Sequence, residues 1–149
     1  MNNFREFFNE SVLVTALIGW FIAQTLKVIF VLIKYKKFDV KRFVGSGGMP
    51  SSHSSTVCAL TVAIGITNGF GSDIFALATV LSLVVMYDAA GVRRAAGQQA
   101  KILNKIIDDW KKASPAETEK KLKELLGHTP FEVIAGAVLG VVIAIIRHI

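Results

Sequence analysis

The sequence predicts an all-α integral membrane protein, a bundle of four spanning helices with interfacial helices between the third and fourth spans. Three observations predict it. Hydrophobic residues make up 52% of the 149, the mean hydropathy is +0.52, and the apolar residues collect into four long blocks instead of scattering. Each block is too long and too continuously apolar for the alternating pattern of a barrel strand, so helices must satisfy the backbone inside the bilayer. The length fits one domain over residues 1–149.

The first block, Val12 to Ile33, is interrupted only by Gln24 and Lys27 and is long enough to cross a hydrocarbon core of roughly 30 Å. Met1 to Glu10 carries one arginine, two glutamates and no small-residue cleavage site after the apolar run, which argues for a retained helix over a signal peptide. The second and third blocks, about Ser54 to Phe70 and Ile74 to Val92, are joined by the turn residues Thr67 to Asp73. Next comes a polar stretch in which Ile102, Leu103, Ile106, Ile107 and Trp110 recur at helical spacing, with Lys101, Lys105, Asp108 and Lys111 to one side or its flanks. That is the pattern of a helix lying on a membrane. Ser114-Pro115-Ala116-Glu117 has the form of a capping box, and Gly127 suits the end of the helix it starts. The fourth block runs from about Pro130 to Ile146. Its Gly136 and Gly140 form a G-x-x-x-G motif, suited to close packing inside the chain or to a homodimer. Cys58, the only cysteine, falls in an apolar block and reads as a buried, inert thiol.

The net charge of +6 is gathered in two loops. Lys34, Lys36, Lys37, Lys41 and Arg42 lie between the first two spans, and Arg93, Arg94, Lys101, Lys105, Lys111, Lys112, Lys120, Lys121 and Lys123 between the last two. With four spans both loops share a side, which the positive-inside rule places in the cytoplasm, as for a bacterial inner-membrane protein. A phosphate site built from the same loops would bias the charge in the same way. The cations hug apolar segments and lack interleaved aromatics, so anionic lipid head groups suit them better than nucleic acid.

Two short stretches carry chemistry. Gly45-Ser46-Gly47-Gly48-Met49-Pro50-Ser51-Ser52-His53 leads straight into the second block. Small residues and a proline open a helix there, so backbone N–H groups without intrahelical partners sit beside an imidazole, forming an anion site that holds a proton donor. Gly127-His128-Thr129-Pro130-Phe131-Glu132 likewise opens the fourth block. If the two helix starts face each other, two imidazoles, two positive dipole ends and several cations converge.

On these residues the chain resembles the type 2 phosphatidic acid phosphatase superfamily, also called the vanadium haloperoxidase-related group, and within it the small divergent bacterial and plastid branch. The superfamily pattern is Lys-x6-Arg-Pro, Pro-Ser-Gly-His and Ser-Arg-x5-His-x3-Asp. Pro50-Ser51-Ser52-His53 is similar to the second motif, with serine for glycine. His128 and Glu132 match the end of the third, with glutamate for aspartate. Lys27 and Lys34 have the spacing of the first, with lysine for arginine and Tyr35 for proline. Lys121 and Leu122 stand where the Ser-Arg pair would be, so Arg93 or Arg94 would have to supply that charge. The resemblance covers the chain from about Gln24 onward.

The resemblance implies a lipid phosphatase acting on phosphatidylglycerol phosphate, phosphatidate or a polyprenyl diphosphate. His128 would attack phosphorus and form a phosphohistidine, His53 would protonate the leaving alkoxide and later activate water, and Glu132 would orient His128. Lys27, Lys34, Arg93, Arg94 and the backbone around Gly47, Gly48, Ser51 and Ser52 would hold the phosphate oxygens. The scheme requires no metal or cofactor.

Each residue also has a plainer reading. His53 suits a solvated helix start, His128 the end of the preceding helix, and Glu132 the third helical position of a Thr129 capping box. Lys27 can snorkel, and Arg93 and Arg94 can be interfacial anchors. Two further functions stay open: a non-catalytic lipid-phosphate binding or scaffold protein, and a metal-dependent lipid phosphotransferase, which Asp88-Ala89-Ala90-Gly91-Val92-Arg93 faintly resembles.

Overall fold

The computed structural model describes residues 11–35, 48–113 and 127–149, with the side chains of 34, 35, 93 and 110–113 excepted. These form five helices, α1 (Val12–Tyr35), α2 (Ser52–Asn68), α3 (Asp73–Ala90), α4 (Val92–Ala113) and α5 (Pro130–His148), with no strand among the described residues. The expected helix from Ser114 and the loop before Gly48 lie outside the described residues.

Local chemistry sets most of the ends. Ser51 caps α2 by accepting from Ser54 N–H, Ser72 caps α3 by accepting from Phe75 N–H, and Thr129 and Glu132 form a reciprocal capping box on α5 with Pro130 in the first turn. The turn between α2 and α3 spans Gly69 to Ser72, where Ser72 N–H and Oγ both donate to Gly69 C=O.

By length and composition, three segments can cross a membrane: Val12–Ile33, Pro130–His148, and Asp73–Asp109, which runs from α3 into α4. The expected second span, from about Ser54 to Phe70, is different in kind. Helix α2 has 17 residues, and many of those it buries are small or polar, among them Ser54, Ser55, Ala59, Thr61, Ala63 and Gly65. It is enclosed by α1, α3 and α5, packing on each, so it sits at the centre of the bundle with little apolar surface of its own to offer lipid.

Small residues make that enclosure possible. A Cβ on Gly136 would run into Ser51 C=O, and one on Gly140 into Ser55 C=O, also coming within 2.9 Å of Ala59 N. The G-x-x-x-G face is therefore used inside the chain, against α2. On the other flank a Cβ on Gly19 would lie 3.1 Å from Ala59 Cβ, and Ser55 Oγ donates to Gly19 C=O at 2.9 Å. Helix α3 is joined by hydroxyls: Thr61 Oγ1 donates to Ala78 C=O at 3.1 Å and lies 2.7 Å from Ser82 Oγ, which reaches Val57 C=O at 3.1 Å. In an apolar solvent such bonds hold helices that gain nothing from hydrophobic burial alone. Thr15 Oγ1, 2.8 Å from His148 Nε2, fastens α1 to α5 at the far end.

These registers make α2 and α5 parallel and α1 and α3 antiparallel to α2. Two helix N-termini therefore lie side by side at one end of the bundle, where α3 finishes.

Candidate functional site

The paired helix starts build the site. Ser51 N–H donates to Glu132 C=O at 3.0 Å, linking the cap of α2 to the first turn of α5, and His128 N–H donates to Ala89 C=O at 3.1 Å, seating the residue before α5 on the last turn of α3. His53, in the first turn of α2, meets His128 edge to face, with ring centroids 5.7 Å apart and planes at 69°. The conditional convergence of the two imidazoles is thus met.

His128 is only 2% exposed, and its Nδ1 lies 3.1 Å from Glu132 Oε2. The same oxygen accepts from Thr129 N–H at 3.1 Å, while Glu132 N–H donates to Thr129 Oγ1 at 3.3 Å. One carboxylate oxygen thus makes both the capping contact and the contact to His128. With Nδ1 so engaged, chemistry at this ring would have to use Nε2.

Lys27 is 1% exposed inside α1, and its Nζ has no hydrogen-bond partner among the described residues. Its position is set from outside the helix. Gly48, at φ +90°, leaves room for the lysine stem, since a Cβ there would lie 3.3 Å from Lys27 Cγ and the backbone conformation itself disfavours any side chain. Among the described residues, Glu132 is the charged group whose field reaches Lys27. An ammonium buried this deeply is costly without an anion beside it. Two helix N-termini add partial positive charge to the same end, so the site as a whole suits an anion.

The remaining expected residues divide. Ser52 is buried at the first position of α2. Ser51 is buried as well, but its N–H, expected to meet phosphate, donates instead to Glu132 C=O, and its Oγ accepts from Ser54 N–H. Ser52 N–H, at the first position of α2, belongs to the turn whose amides lack intrahelical partners. Arg94 is exposed on α4. Gly47 lies outside the described residues, as do the side chains of Lys34 and Arg93, although both backbones belong to helices. Asp88 is half-buried in the last turn of α3, and no group of three or more His, Cys, Asp or Glu side chains with metal-holding geometry occurs among the described residues.

Sequence reasoning missed Ser54 and Gln24. Ser54 is fully buried one residue beyond His53, and its Oγ has no hydrogen-bond partner among the described residues. Only the packing around α2 reveals this. Gln24 is buried in α1 one turn before Lys27, and that spacing, which puts both polar interruptions of an apolar run on one face, was the available signal.

Comparison with known proteins gives the family. A family model described as the divergent PAP2 family matches residues 8–143. An uncharacterized membrane protein of Bacillus subtilis (strain 168), YuiD, is 38% identical over 144 residues, covering 90% of this chain and 91% of that protein. No solved structure matches.

Proposed function

Since the chain belongs to the divergent PAP2 family, we propose that it is a membrane lipid phosphatase whose nucleophile is His128 and whose proton-transfer group is His53. The observation that carries the reading is the arrangement of three side chains: His53 5.7 Å from His128, ring to ring, and His128 held at Nδ1 by Glu132.

In the first step His128 Nε2 attacks phosphorus, the bond from phosphorus to the lipid oxygen breaks, and His53 in its protonated form gives its proton to the departing oxygen. In the second, His53 takes a proton from water, the hydroxide attacks the phosphohistidine, and the bond from phosphorus to Nε2 breaks to release phosphate. Glu132 balances the positive charge that grows on the His128 ring. Lys27 and Ser52 N–H stabilise the charge that builds on the equatorial oxygens. Phosphatidylglycerol phosphate, phosphatidate and polyprenyl diphosphate all present the terminal phosphate this chemistry needs. The positive-inside rule, applied to the basic residues of the loops between the spans, supports a site that faces the cytoplasm.

The test is turnover of those three lipids by purified protein in detergent, with acid-quenched trapping of a 32P-labelled phosphoenzyme. Turnover of at least one, with a phosphoenzyme that disappears in His128→Ala, is the expected result. Tight lipid-phosphate binding without turnover would favour the scaffold reading. A phosphoenzyme that survives in His128→Ala would overturn the assignment of the nucleophile.

A further inference from the structure

Helix α4 is built inside out. Among its described side chains the buried residues are Gly97 and Asn104, on its polar side, with Asp108 half-buried on the same side. On the opposite side Ile102, Leu103 and Ile106 are 61%, 47% and 51% exposed. A helix packed on a soluble protein shows the reverse pattern, apolar side inward. Arg94, Lys101 and Lys105 are exposed along the flank of the apolar stripe.

The geometry points to α4 as a membrane-binding helix, its Ile102–Leu103–Ile106 stripe sunk into the interface of the bilayer that α3 crosses and its flanking cations set against anionic head groups. Two observations select lipid as the occupant. Helix α4 follows the spanning helix α3 after the single residue Gly91, so it begins at the membrane surface. Helix α3, with 18 residues, is about 27 Å long at 1.5 Å per residue and already fills a core of roughly 30 Å. If α4 continued along the membrane normal, its 22 residues would carry the stripe into water. If it lies along the surface, the stripe meets acyl chains and the lysines meet head groups. A positive flank also suits an anionic lipid surface better than a second copy of this basic chain, whose net charge is +6. The inference stands independently of the phosphatase reading.

The experiment uses full-length protein with Cys58→Ala in phosphatidylcholine vesicles, with and without phosphatidylglycerol. A single cysteine at Ile106 or, as a water-exposed reference, at Gly71 in the turn between α2 and α3 carries an environment-sensitive fluorophore. At Ile106, lipid-borne quenchers should quench strongly, and iodide present on both sides of the bilayer several-fold less than at Gly71. Removing phosphatidylglycerol, or introducing Lys105→Glu, should shift the docked-to-undocked ratio toward water by about five-fold for each lost cation contact. Equal iodide access at the two positions in anionic vesicles would overturn the proposal. So would shielding at Ile106 that depends on the protein-to-lipid ratio and not on lipid charge, because that would identify a second chain as the occupant.

Discussion

His128 Nδ1 and Glu132 Oε2 lie 3.1 Å apart, and the oxygen that makes this contact also accepts the Thr129 N–H that opens α5. The cap holds the carboxylate still, and the carboxylate holds the imidazole. A residue four positions along a helix can do both only because His128 stands just before the cap, where its side chain folds back over the first turn.

That double duty separates the charge of Glu132 from its shape. Glu132→Gln retains an acceptor for Thr129 N–H but faces the developing imidazolium with a neutral group. Turnover should fall by about 10²- to 10⁴-fold, with thermal unfolding in detergent changed by no more than a few degrees. Near wild-type turnover in this variant would remove the orienting role.

His53 should matter in proportion to the leaving group. An aryl phosphate expels an oxygen that needs little help, whereas a lipid alkoxide must be protonated. His53→Ala should therefore lose far more turnover on phosphatidate than on a nitrophenyl phosphate. Equal losses on both substrates would count against the acid role.

Lys27→Met tests whether the buried ammonium serves phosphate or the fold. Replacing an unpaired buried charge with an apolar chain of similar length leaves stability unchanged or raised. The loss of one charge-assisted contact should weaken phosphate-dependent turnover by about 10- to 100-fold. A variant that unfolds early yet turns over normally when folded would reverse this assignment.

Close packing of α5 on α2 makes Gly140 sensitive. Gly140→Ala must push the α2 backbone away at Ser55, at a cost of about 1–3 kcal/mol, and should lower the Tm by several degrees. Gly71→Ala, where a Cβ would have nothing within 4 Å, is the control and should unfold close to wild type.

Vanadate adopts the five-coordinate geometry of phosphoryl transfer, so it should inhibit in competition with substrate. Activity should also survive EDTA, because lysine and amide dipoles carry the charge stabilisation in the proposed scheme. Complete loss with EDTA, restored by magnesium, would move the reading to the metal-dependent alternative that includes Asp88.

Local sequence sufficed to locate the apolar helices and to begin them. Ser51, Ser72 and Thr129 act on amides three residues away, and an apolar run long enough to span a membrane has few other stable forms, so neither depends on distant chain. Both histidines were legible for the same reason, each sitting in a short motif at a helix start. Tertiary structure decided how the pieces share one volume. It put the glycines of α5 against the Ser51 and Ser55 carbonyls and not against a second chain, and made α2 an enclosed helix instead of a lipid-facing one. It gave Ser51 N–H to Glu132, buried the Ser54 hydroxyl with no hydrogen-bond partner among the described residues, and fitted Lys27 beneath Gly48. Each of these contacts joins segments separated by whole helices, and backbone approach between helices is set by the fit of small side chains on both partners, which no single stretch of sequence contains.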